Sequence, residues 1–117
     1  ISTNGDVSIG GDAALAPVVK ITNAGMTSLF QGANVSSASA IVPTGNLFHV
    51  TGTTTITSIT STNITAGTNI TIIFDGALTF TDGSNLKLAG NFTTAADATI
   101  SLVYDGTFWY EKSRSTN

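Results

Sequence analysis

Large apolar residues recur at every second position over short runs, and no run keeps the three-to-four spacing of an ordinary helix. Ile70, Ile72 and Phe74 alternate along one such run, and Ile100, Leu102 and Tyr104 along another. The pattern predicts strands at 7–9, 18–21, 27–30, 40–42, 46–50, 53–59, 70–74, 77–80, 86–88, 99–104 and 107–110. Residues 12–16 fit one helical turn, which Pro17 ends. Between the strands lie turn signals. Asp75-Gly76 and Asp105-Gly106 each accept positive φ at the centre of a type I′ turn, so both predict hairpins. Asp82-Gly83-Ser84-Asn85 predicts another turn. Strand-sized segments at this spacing point to an all-β chain, an antiparallel sandwich or jelly-roll-like domain of short strands and hairpins.

Pro43-Thr44-Gly45 is the clearest break, which divides the chain into residues 1–45 and a β domain at 46–117. The first part is poor in large apolar residues: Val7, Ile9, Leu15, Val18, Ile21, Met26, Leu29, Phe30 and Ile41. Ordering a residue costs about 1.5 kcal/mol, and burial returns about 25 cal/mol per Å². So few side chains barely offset that cost, and the segment is expected to lie on the rest of the chain or on other chains. The strands also lack the Lys, Pro and other charges that normally blunt sheet edges. Together these features predict an obligate oligomer.

Composition narrows the function. Charged residues make up 9% of the 117 positions and the net charge is −3, against about 25% charged in an average chain. No basic field exists for a phosphate backbone, which argues against nucleic acid as a partner. Cysteine is absent, which rules out disulfides and thiolate metal sites. No apolar run approaches the ~20 residues of a membrane-spanning helix, and the first residues lack a signal-peptide pattern. The chain starts at Ile1 rather than Met, so a processed product or a fragment is expected.

From residue 46 onward several motifs follow one another. They are Thr51-Gly52-Thr53-Thr54-Thr55-Ile56, then Gly67 with Ile70 to Phe80, then Gly83-Ser84-Asn85-Leu86-Lys87-Leu88-Ala89-Gly90. Thr93-Thr94-Ala95-Ala96-Asp97 and Asp105-Gly106-Thr107-Phe108-Trp109-Tyr110 close the series. This order resembles the C-terminal elements of bacteriophage tail spike, fibre and appendage proteins, with Ala89 where proline is common. The resemblance implies a homotrimeric, all-β, C-terminal virion domain, preceded at residues 1–45 by short interleaved β segments. It implies host-surface attachment and no catalytic residues. A cleaved intramolecular chaperone for trimer assembly is the alternative, and a fragment of a polysaccharide-degrading enzyme a third.

The candidate chemistry is thin. Asp75, Asp82 and Asp105 offer carboxylates for glycoside cleavage, but each precedes glycine, and turn formation accounts for all three. No acid/base, cofactor or metal site is expected. His49 is the only histidine, and on a trimer axis three copies would meet and share an ion. Asn34, Asn63, Asn69 and Asn91 open glycosylation sequons, which an Asn- and Thr-rich chain produces by chance. For contact with a host glycan or protein, the polar loop 60–68 is the first candidate, through Asn63 and Thr65. Trp109 or Tyr110 is the second, depending on which face of the last hairpin is core.

Overall fold

The computed structural model describes Gly5, residues 7–9 and residues 19–117. The helical turn expected at 12–16 lies outside the described residues, which contain no helix. The chain divides between Gln31 and Gly32 into two compact units.

In the first unit, β1 (Val7–Ile9), β2 (Val19–Ile21) and β3 (Thr27–Leu29) form an antiparallel sheet in that order. The register sets Ile9 opposite Val19 and Val19 opposite Leu29. Ile21 lies two residues from Val19, so these four side chains share one face. Lys20 and Ser28, in register with each other, belong to the other face.

The second unit contains β4 (Val35–Ser36), β5 (Ala40–Ile41), β6 (Leu47–Thr51), β7 (Ser58–Ile59), β8 (Asn69–Phe74) and β9 (Thr79–Phe80). It continues with β10 (Leu86–Lys87), β11 (Phe92–Thr93), β12 (Thr99–Tyr104) and β13 (Trp109–Ser115). A six-stranded sheet runs β10-β13-β12-β8-β6-β4, and two ribbons, β11-β9 and β5-β7, accompany it. The expected antiparallel arrangement is corrected here. The sheet is mixed, because β4 pairs with β6, β6 with β8 and β10 with β13 in parallel.

The alternation seen in the sequence selects the buried face. Phe48, Val50, Ile70, Ile72, Phe74, Ile100, Leu102 and Trp109 are at most 3% exposed. The ribbons supply the opposing layer: Phe80 and Phe92 meet Phe74 edge-on, with ring centroids 5.7 and 6.0 Å away. What holds of the expectation is its coarser part, an all-β arrangement, here one mixed sheet accompanied by two small ribbons.

Two further expectations change. The break at Pro43-Thr44-Gly45 is not a boundary between units, because Ile41 is 1% exposed in the same core and Val35 packs against it. β4 and β5 are strands of the second unit, held by partners distant in sequence. The Asp75-Gly76 hairpin does not form either. β8 has β6 on one edge and β12 on the other, so no edge remains for the strand that follows. The chain leaves the sheet, and Phe80 pairs with Phe92 instead. Gly76 lies outside the left-handed region, and a Cβ there would sit 3.2 Å from the carbonyl oxygen of Gly52.

The second hairpin does form, joining β12 to β13. Only Gly106 has positive φ, at 98°, so the turn has its left-handed residue at the first central position rather than at both. The amide of Asp105 donates to the Phe108 carbonyl (3.0 Å). The Asp105 carboxylate accepts from the amides of Thr107 (2.8 Å) and Phe108 (2.7 Å). Those two bonds hold the Asp105 carboxyl below the usual range. The Asp82-Gly83 turn also forms. Gly83 and Leu86 exchange backbone hydrogen bonds of 3.0 and 2.8 Å, and Asp82 Oδ1 accepts from the Leu88 amide.

Past the hairpin, β13 carries a bulge. Leu102 faces Glu111 while Ser101 faces Ser113, so Lys112 is the extra residue. The bulge restores Arg114 to the row of Ile100 and puts it on the same side as Glu111. The guanidinium grips the carboxylate at two points, 2.6 and 2.7 Å. It also donates to the carbonyls of Gly90 and Asn91 and lies 4.6 Å from the centre of the Phe92 ring. This clamp covers the end of the core where Phe92 is buried.

Replacing Gly106 with Val is expected to lower stability by about 1–2 kcal/mol through the left-handed backbone alone, since the nearest atom to a new Cβ is 3.4 Å away. Thermal unfolding checks this, and an unchanged midpoint would contradict the turn geometry. Arg114 holds the Glu111 carboxyl below its ordinary range. The stability this confers is fully present above the unfolded value of about 4.3 and is lost as pH falls through the lower folded value. E111Q is therefore expected to cost about 1–2 kcal/mol at pH 7, with the two urea midpoints converging as pH falls below the unfolded carboxyl value. Parallel pH profiles of the two proteins would disprove the clamp.

Candidate functional site

Parallel pairing of β6 and β8 brings their starting ends together. The Thr71 amide donates to the Asn46 carbonyl (2.8 Å), and the Asn46 side-chain amide donates to the Asn69 carbonyl (2.8 Å). The segment between the two strands returns over this end as the loop 60–68. A depression of about 290 Å³ opens there. Its walls include Pro43, Asn46, Asn63, Ile64, Thr65 and Ile70, and none of its lining residues is ionisable.

The loop is fastened from several sides. The Gly67 amide donates to the Tyr104 carbonyl (2.7 Å), and the Tyr104 amide returns a bond to Thr68 (2.9 Å). Within the loop, the Ile64 amide donates to Ser61, and the Thr68 hydroxyl donates to the Thr65 carbonyl (2.7 Å). Asn63 adopts the left-handed conformation, φ 62°, which asparagine tolerates better than most residues. Asn63 and Thr65 are exposed, and their side chains face no hydrogen-bonding partner among the described residues. Both predicted loop residues therefore line one depression. Pro43, Asn46 and Ile70 were not anticipated, because only the β6–β8 pairing brings them there.

Trp109 is corrected as a contact residue: it is 0% exposed. Its ring stacks on Tyr104 at 4.8 Å, and its indole N–H donates to Ser61 Oγ (2.9 Å). The physical reason is register. Trp109 lies opposite Tyr104, whose side chain is on the inward face, so Trp109 anchors the loop from beneath. Tyr110 points the other way and is 41% exposed. It meets Phe108 edge-on, and Lys87 Nζ lies 4.3 Å from the Phe108 ring centre.

The remaining candidates hold structure together. His49 Nδ1 lies 2.5 Å from Asp75 Oδ1, a contact between β6 and the residue that follows β8. Asp82 and Asp105 bind backbone amides, and Glu111 binds Arg114 and the Ala89 amide. No group of three metal-ligating side chains occurs among the described residues. Comparison with protein-family models, with curated proteins and with solved structures finds no match to this chain.

Proposed function

We propose that this chain is the C-terminal tip domain of a bacteriophage tail spike or fibre, which trimerises and contributes to attachment at the host surface. In this reading it is an extracellular virion component that binds a surface glycan or protein and cleaves no bond. One observation supports assembly above the others. The apolar face of the first unit is open: Ile9 is 59%, Leu29 53% and Ile21 42% exposed. A three-stranded sheet with such a face needs cover. Further copies of the same chain suit it, because among the described residues the face carries no charge that would oppose its own duplicate. The binding rather than catalytic role draws support from four of the five described side-chain carboxylates, since Asp75, Asp82, Asp105 and Glu111 are each engaged in a structural hydrogen bond.

Sedimentation of the full chain is expected to give three chain masses at micromolar concentration. The double variant Ile9→Asp with Leu29→Asp should dissociate while keeping the β signature of the second unit. A stable wild-type monomer would defeat the assembly reading. Antibody against the chain should label tail tips of the phage that encodes it. Virions without label would favour a chaperone removed after assembly.

A further inference from the structure

We infer that the depression between Asn46, Asn63, Thr65 and Ile70 is a binding site for one neutral pyranose ring. The inference rests on the attachment reading for its purpose, and on the local geometry for its chemistry. At about 290 Å³ the space sits at the small end of ligand sites, which run from roughly 300 Å³ upward. That suits a single ring better than an extended ligand.

The walls fit the two surfaces of a sugar. A pyranose has an apolar C–H face and a rim of hydroxyls. Ile64 and Pro43 are half-buried and give the C–H face an apolar surface, with Ile70, 3% exposed, as the floor beneath them. Asn63 offers a donor and an acceptor from one amide, and Thr65 offers a hydroxyl. Neither is spent on the protein's own hydrogen bonds. A charged sugar is disfavoured, because no lining residue would pair its carboxylate and a charge set against uncharged walls loses hydration without compensation. The net charge of −3 adds to that preference. The site is also set in advance: Tyr104 holds the loop through its backbone and Trp109 through Ser61. Little ordering cost then falls on binding. One ring in a shallow site binds weakly, and repeated copies of the chain would raise avidity on a surface bearing repeated sugars.

The test is a titration of the isotope-labelled full chain with galactose, glucose, mannose and N-acetylglucosamine, with glucuronate as the charged comparison, followed by amide resonances. At least one neutral sugar is expected to shift residues 43–46 and 61–70 saturably and to outcompete glucuronate. The single tryptophan gives a second readout, because its indole N–H contacts the loop. The variant Asn63→Gly with Thr65→Val removes both polar groups while leaving residue 63 free to keep its left-handed backbone. It should retain the spectrum elsewhere and bind at least about tenfold more weakly, the loss of one to two hydrogen bonds. Four results would overturn the proposal: no saturable shift with any neutral sugar, shifts centred on Tyr110, preference for glucuronate, or undiminished binding by the double variant. Sedimentation of the same samples separates the two readings. Sugar binding by a monomer would leave the site standing without the trimer, and a trimer without sugar binding would leave assembly standing without the site.

Discussion

Two neighbouring parallel strands cannot be joined by a tight turn. β6 and β8 lie side by side in parallel, so residues 52–68 have to carry the chain back to the end where β6 began. On the way this segment places Ile56 and Ile59 in the core, each at most 1% exposed, and pairs β7 with β5. It then arrives over Asn46 and Asn69 as a loop. The depression exists because of this crossover, since no short connection would have brought residues 63–65 above residues 43–46. The same pairing fills one edge of β8 and β12 fills the other, which drives the chain after Phe74 out of the sheet to build the opposing ribbon.

A charge-poor chain must fasten such connections by other means, and short polar side chains take that role. Asn85 acts as a piece of strand: its amide donates to the Ile59 carbonyl (2.6 Å) and its oxygen accepts from the Ile59 amide (3.2 Å). Thr94, 3% exposed, accepts from the Leu78 amide and donates to the Gly76 carbonyl. Asn91 accepts from the Asp82 amide. Each bond satisfies backbone that leaves the sheet, and no buried side-chain polar atom among the described residues lacks a partner. These Asn and Thr residues have a structural role that needs no ligand. Asn63 and Thr65, like several other exposed Asn and Thr residues, have no such bond, and what distinguishes them is their place in the wall of the depression.

Local pattern carried the fold as far as local physics decides it. The inward faces of β8 and β12 follow from alternation, and the Asp105-Gly106 hairpin from turn chemistry between strands that are true neighbours. Asp75-Gly76 has the same chemistry and failed, because strands distant in sequence had already taken both edges of β8. Pro43-Thr44-Gly45 punctuates the backbone, but a punctuation mark does not say that Ile41 behind it is buried in the same core as Phe48 ahead of it. The loop 60–68 was legible as a polar, patternless stretch. Its partners across the depression were not, because parallel register between β6 and β8 leaves no signature in either strand alone. Trp109 was ambiguous for a related reason: alternation separates it from Tyr110, but only its pairing with Tyr104 says which of the two is inside.

The two units divide the work. The second closes its own core, with large side chains from every layer withdrawn from water and a clamp at Arg114 over its end. The first unit has three short strands and an open apolar face, and at about 25 cal/mol per Å² the free energy available from covering Ile9, Ile21 and Leu29 is still unspent. In the proposed reading the drive to assemble belongs to the open face of the first unit, whereas the uncharged depression lies in the second. If both proposals hold, a substitution that abolishes one function need not disturb the other, and this separability would distinguish a domain that both assembles and recognises from one whose binding surface is created by assembly.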